Sequence, residues 1–203
     1  MTDKALLIAG AKKMSINLDE VQVSKLMQYL ELIIKWNKTV NLSAIRHLDE
    51  GVKKHLLDSL SVMPYITKEP LLDVGSGAGL PGIVISIMKP ELSITVLDTV
   101  GKKCRFMQFA KTNLGLKNLT VVHQRVENYI AEQCFGQIIS RAFAEVDKTL
   151  SLTQHLLCDN GHYLLMKGNH FENEALKNFI VQAHQISVPY LSDQRYFLEI
   201  KPS

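Results

Sequence analysis

LLDVGSGAGLPG, residues 71–82, decides how the rest of the chain is read. Four glycines fall in twelve positions, directly behind a short apolar run. Glycine takes positive φ at little cost and has no Cβ, so a ligand can lie against its backbone. The stretch therefore reads as a strand, then a loop that something approaches closely, then the start of a helix at Pro81.

Working outward, the same alternation repeats. β-rich runs occur at PLLDV (70–74), SITVLD (93–98), LTVVH (119–123), QIISR (137–141) and HYLLMK (162–167). Helical segments are expected near 81–88, 101–114, 146–157 and 171–184. QISVPY (185–190) and RYFLEI (195–200) read as a hairpin-like pair around LSDQ. Strand and helix in this rhythm give right-handed crossovers and an α/β doubly wound, mostly parallel seven-stranded sheet. The last pair breaks the rhythm and predicts one antiparallel edge strand.

Residues 1–66 read as a helical N-terminal extension, and 67–203 as the α/β core. Asn17 with Glu20 fits a capping box. Leu18, Val21, Leu26, Leu30, Ile33 and Ile34 then share one helical face, and Trp36 and Val40 extend it. A second helix is expected from Asp49 to Met63, with Val52, Leu56 and Leu60 stacked and Pro64 ending it.

The bulk numbers set limits. The chain has 203 residues, 46% hydrophobic and 21% charged, ordinary globular composition. A formal net charge of +3 permits an anionic partner without demanding one. Cys104, Cys134 and Cys158 are odd in number and widely spaced, with no metal-ligand pattern, so the expectation is buried reduced thiols. No apolar run approaches the ~20 residues of a membrane span. LLIAG near the N-terminus is too short for a signal peptide. The expectation is a cytoplasmic protein with no membrane, no metal and no obligate protein partner.

In an open α/β sheet, ligands bind beyond the carboxyl ends of the strands, where the strand order reverses. Gly77-x-Gly79-x-x-Gly82, with Asp98 ending the next strand, matches a dinucleotide fingerprint. Two features weigh against a pyrophosphate there. Pro81 offers no N–H to it, and Asp73 sets a carboxylate just before the loop. S-adenosylmethionine suits the residues better, since it has a ribose and an adenine, no phosphate, and cationic groups. Asp98 would accept from the ribose hydroxyls, and Glu127, after the third strand, would lie along the adenine.

At this point a resemblance enters. KWNKTVNLSAIRHLDEGVKKHLLDSL, DVGSGAGLPGIVISIMKPE, LDTVGKKCRF, RVEN, ISRAFA and LLMKG stand in that order. The chain closely resembles the bacterial small-subunit rRNA guanine-N7 methyltransferases, the RsmG family, formerly called GidB. The resemblance implies a Rossmann-like class I methyltransferase using S-adenosyl-L-methionine. It implies a cofactor site at Gly75, Gly77, Leu80, Val126, Glu127 and Arg141, joined by Asp98. The implied substrate is one guanine, conventionally position 527, in the decoding-region loop of 16S rRNA, within or near the small ribosomal subunit. Two departures stand out: Ala78 where the family often has proline, and Glu145 where a small polar residue is usual.

The chemistry agrees with what is missing. Guanine N7 has a lone pair and no proton to lose, so in-line attack on a sulfonium methyl needs no general base. No nucleophile–base pair stands out in the chain. Arg141, after the fourth strand, is a candidate anchor for the cofactor's carboxylate or a target phosphate; a plain ion pair is its alternative. Arg46, Lys102, Lys103, Arg105, Arg125 and Lys167, with Lys53 and Lys54, are candidate RNA contacts, each as easily a solvated charge. His55 and Asp58 share a helix turn that can reach the site or simply pack. Cys104 and RFMQFA read as core. Three rivals remain: a methyltransferase with another substrate, an NAD-dependent oxidoreductase, and a non-enzymatic ribosome binder.

Overall fold

The computed structural model describes residues 1–141, 143–168, 176 and 178–203. Seven strands form one sheet: Leu71–Val74 (β1), Ile94–Asp98 (β2), Leu119–His123 (β3), Phe135–Arg141 (β4), Leu157–Lys167 (β5), Phe179–Ile186 (β6) and Arg195–Pro202 (β7). Their order is β3-β2-β1-β4-β5-β7-β6. The first five are parallel, so the order reverses between β1 and β4. This is the doubly wound sheet expected. The one antiparallel strand is β7, which lies next to the edge and runs against both β5 and β6; the outermost strand, β6, therefore points the same way as the first five.

Helices are Asp3–Lys13 (α1), Glu20–Val40 (α2), Leu48–Gly51 (α3), Asp58–Leu60 (α4), Gly82–Met88 (α5), Gly101–Leu114 (α6) and Val146–Thr153 (α7). A π-helical segment, Val52–Leu57, joins α3 to α4. The expected helix over 49–63 is thus nearly continuous but widened in its middle, and Val52, Leu56 and Leu60 are fully buried as their spacing implies. The α2 cap is shifted. Asp19, not Asn17, accepts from the Gln22 N–H at 2.7 Å, and the Gln22 side chain accepts from the Asp19 N–H. Asn17 with Glu20 fits the same pattern, but the helix begins at Glu20, so Asp19 is the cap and Gln22 the residue that returns the bond.

The helix expected over 171–184 is corrected in part. Residues 171–175 and 177 lie outside the described residues, and 179–184 belong to strand β6. Phe179, Ile180 and Val181 are strand-favouring by residue type, exposure alternates over 179–182 and again over 183–186, and pairing with β7 fixes the whole run as strand. The expectation of three reduced thiols also fails. Cys104 is free and buried, but Cys134 and Cys158 form a disulfide. They are 24 residues apart in sequence, yet stand beside the paired starts of β4 and β5, Phe135 and Leu157, with Cα atoms 5.0 Å apart.

One core lies on the sheet face covered by the N-terminal helices. Leu26, Tyr29, Ile33 and Leu56 pack there with Ile83 of α5 and with Phe106 and Met107 of α6. The expectation for RFMQFA holds for Phe106 and Met107, while Phe109 is partly exposed against Trp36. The other face packs Leu72, Val74 and Ile138 against Leu150 of α7. Among the described residues no helix is long and apolar enough to cross a membrane.

Candidate active site

The loop after β1 stands at the strand-order reversal, and its backbone explains its glycines. Gly75, Gly77 and Gly79 all have positive φ. A Cβ on Gly75 would lie 2.6 Å from Phe143 Cδ2. Gly82 serves a different purpose. Its φ is ordinary, but a Cβ there would meet Val96 at 2.5 Å and Asp73 Oδ2 at 2.8 Å, so α5 packs close on the sheet because residue 82 has no side chain.

Beyond Gly75 lies a cavity of about 270 Å³. Gly75, Asp98, Val126 and Glu127 all line it, so four of the seven expected cofactor residues come together. They meet because β1, β2 and β3 are adjacent and parallel, and their carboxyl ends open onto one hollow. Leu97, Val100 and Phe143 supply apolar wall. Lys103, expected to touch RNA, lines this cavity instead, with Nζ 3.7 Å from Asp98 Oδ2.

Asp98 is buried and holds the loop together. Its Oδ2 accepts from the Gly77 N–H at 2.9 Å, and its Oδ1 accepts from the Val100 N–H at 2.8 Å. Gly77 thus shapes the site through Asp98 without lining the cavity. Leu80 is buried in the core and lines no part of it. Asp73 also stands back. Its Oδ2 accepts from the Gly82 N–H at 2.8 Å, starting α5, while its Oδ1 is buried without a partner. Burial raises its pKa to about 7, against which the Gly82 and Ser76 hydrogen bonds pull down. It is a buried cap, not the ligand-facing charge that the sequence led us to expect.

Arg141 faces a second, adjacent cavity of about 230 Å³, together with Asp58, Lys167, Arg195 and Tyr196. Its Nη1 donates to Asp58 Oδ2 and to the Lys54 carbonyl, both at 3.2 Å. Arg195 Nε donates to Asp58 Oδ1 at 3.4 Å. One buried carboxylate from the N-terminal helices therefore spans two arginines from β4 and β7. Behind it, His55 is bound to Ser43 Oγ at 2.7 Å. Burial, then the charge of Arg141, lowers its pKa to about 4.

The remaining basic candidates are scattered. Arg46, Lys102, Arg105 and Arg125 are exposed and line neither cavity. Lys53 and Lys54 pair with Asp49 and Glu50 one turn back. Lys167 donates to the Ala144 carbonyl at 3.1 Å. The sequence reading missed Phe143 and Arg195. For Phe143, the ISRAFA block carries the family resemblance and points to Arg141, but gives its phenylalanine no role. For Arg195, no local signal exists. No group of side chains that could hold a metal occurs among the described residues.

The architecture has close counterparts. A SAM-dependent methyltransferase from Aquifex aeolicus superposes with a TM-score of 0.55 at 17% identity, over 71% of this chain and 90% of that one. Coclaurine N-methyltransferase, solved with N-methylheliamine and SAH, gives 0.52 at 13% identity, over 83% and 57%. These identities show a shared fold: the chain has the Rossmann-like fold of S-adenosylmethionine-dependent methyltransferases. The sequence is more specific. The family model for rRNA small subunit methyltransferase G (GidB) matches residues 22–195. Ribosomal RNA small subunit methyltransferase G of Ruthia magnifica is 65% identical over 198 residues, 98% of this chain and 97% of the relative. The protein of that name from Hydrogenovibrio crunogenus is 46% identical, over 97% and 93%. The chain belongs to this family.

Proposed function

We propose that this protein transfers a methyl group from S-adenosylmethionine to N7 of one guanine, conventionally position 527, in the decoding-region loop of 16S rRNA, acting in the cytoplasm on the small ribosomal subunit. The observation that carries the reading is the cavity gathering Gly75, Asp98, Val126 and Glu127 at the sheet's switch point, next to the cavity of Arg141. Family membership names the rRNA.

The residues fit the cofactor. Gly75 leaves bare backbone at the cavity wall. Leu97, Val100, Val126 and Phe143 offer apolar surface to an adenine. Asp98 offers its carboxylate to ribose hydroxyls from a position locked by two backbone N–H groups, and Glu127 lies along the adenine. Arg141 is held toward the neighbouring cavity by Asp58 and the Lys54 carbonyl, where it can meet a carboxylate or a phosphate. The cofactor supplies a methyl carbon made electrophilic by its sulfonium. With it bound beside Asp98 and Glu127, guanine N7 could take that methyl through its lone pair, the C–S electrons passing to sulfur. No proton moves, so the chain has to position and shield the reactants, and no general base is called for.

The test is methyl transfer with labelled S-adenosylmethionine and small subunits lacking the modification, followed by mapping. A single label at N7 of the decoding-region guanine is expected. No label with the cofactor still bound would refute the substrate, and no binding of the cofactor would reopen the dinucleotide reading of the loop.

A further inference from the structure

The cavity beside Arg141 does not end there. Ser61 and Ile186 line both it and a further hollow of about 490 Å³. This hollow lies between the end of α1, at Lys13 and Met14, and the 185–191 segment that leads out of β6. The two make one groove, which runs from Arg141 to a surface platform. On that platform Lys13 Nζ stands 4.4 Å from the centre of the Tyr190 ring.

The lining has a definite chemistry. Asp58 is the sole acid among the described residues of either hollow, against Lys13, Arg141, Lys167 and Arg195. Aromatic rings recur along it: Tyr196 at the Arg141 end, then Tyr65, then Tyr190 at the far end. Tyr190 is 39% exposed and has φ +69. That conformation is costly for a bulky side chain, and asparagine or glycine would take it more readily. The ring is thus held at the surface at the expense of backbone comfort. Tyr196 and Tyr65 are half-buried, with Tyr65 packed on Phe197 and His184, so Tyr190 is the exposed ring; cations along a groove that ends on such a ring fit single-stranded nucleic acid, with phosphates on the cations and a base on Tyr190. An acidic peptide would use the charges but leave that ring without a purpose.

We propose that this groove carries the RNA strand flanking the target nucleotide, and that Lys13 and Tyr190 form a remote subsite for it. A base stacks on Tyr190, and Lys13 turns to the adjoining phosphate. The inference rests on the function proposed above and adds the path of the substrate.

The test compares wild type with Lys13→Ala/Tyr190→Asn, since asparagine tolerates the left-handed backbone. Neither residue lines the cofactor cavity or the cavity of Arg141. Methyl transfer is measured against small-subunit concentration and salt, and cofactor affinity by calorimetry. The KM for small subunits should rise about tenfold, the scale of one lost stack and one lost phosphate contact. The kcat and cofactor affinity should hold. The slope of log kcat/KM against log salt should become shallower by about one. Lys13→Glu should raise KM further still. An unchanged KM in the double variant, with a wild type that methylates the subunit, overturns the groove alone. A fall in kcat or cofactor affinity in its place also overturns it, by assigning the pair to the fold. A wild type that transfers no methyl overturns the parent reading and the groove together.

Discussion

Gly75→Ala separates a backbone requirement from a packing one. Residue 75 sits at φ +69, and its missing Cβ would stand 2.6 Å from Phe143 Cδ2 and 3.2 Å from Phe143 Cβ. The first cost is conformational, roughly 1–2 kcal/mol for an L-residue held left-handed. The second is overpacking, roughly 1–3 kcal/mol where a neighbour has to move. Together they take about 2–5 kcal/mol from a domain whose whole stability is on the order of 5–15 kcal/mol. Because Phe143 lines the cavity at the switch point, relieving the clash by moving its ring also reshapes that cavity's apolar wall. Urea unfolding and calorimetric cofactor titration of Gly75→Ala, Phe143→Ala and the double variant form a cycle. The double variant should recover the packing share, about 1–3 kcal/mol, and keep the conformational share. Strictly additive stabilities would show that Phe143 does not press on residue 75. A Gly75→Ala protein with wild-type stability and affinity would refute the reasoning entirely.

Asp98→Ala should weaken S-adenosylmethionine binding by about 1–3 kcal/mol, because it removes a ribose partner and leaves the Gly77 and Val100 N–H groups without an acceptor; undiminished affinity by calorimetry would place the ribose acid elsewhere. Stability against pH should show two opposed slopes. His55 titrates near 4 when folded, so between pH 4 and 6.5 only the unfolded chain takes up its proton, and stability rises with pH. Asp73 titrates near 7 when folded, so over the same window the folded chain keeps a proton that the unfolded chain releases, and stability falls with pH. Relative to wild type, Asp73→Asn should steepen the rise and His55→Gln should tilt the curve downward; parallel curves for all three would refute both assignments. Thiol titration of the denatured, unreduced protein should find one free thiol, from Cys104, and three after reduction; three from the start would refute the Cys134–Cys158 bond.

What was legible in the sequence is what local chemistry dictates. Short apolar runs bounded by turn residues marked the first five strands, and the glycines marked the loop. Asp98, Val126 and Glu127 gathered at one cavity because parallel strands put their carboxyl ends on the same side. Long-range contacts left no such trace. Nothing near Arg195 announces that β7 will carry it to Asp58, 137 positions away in the chain. The Cys134–Cys158 pair depends on the β4–β5 register, which spacing alone does not reveal. Residues 179–181, Phe-Ile-Val, favour a strand by type, but the polar QAH that follows blurs the run, and pairing with β7 extends it to Ile186. Asp73 was placed beside the ligand because its position in the motif is the same whether its side chain points out or in. The structure turns it inward, under Gly82.

The N-terminal helices resemble an appendage in sequence, but their contacts tie them to the glycine loop and to Arg141. Tyr29 of α2 donates its hydroxyl to the Ala78 carbonyl at 2.6 Å, fully buried, and so pins the glycine loop from behind. Asp58 and the Lys54 carbonyl, on either side of the end of the π-helical segment, hold Arg141 from the far side of the site. The widened turn bears on this, since such turns are frequent at functional sites. Leu26, Ile33 and Leu56 meanwhile cover Ile83 and Phe106, which are wholly buried in the intact chain. Residues 67–203 expressed alone would therefore expose one face of the sheet's helical cover, free the loop at Ala78, and leave Arg141 and Arg195 without their shared carboxylate. The expected outcome is a chain that binds hydrophobic dyes, lacks a cooperative melt and takes up no S-adenosylmethionine. A cooperatively folded 67–203 with full cofactor affinity would show that the extension serves the RNA alone, and that the three ties to the site are incidental.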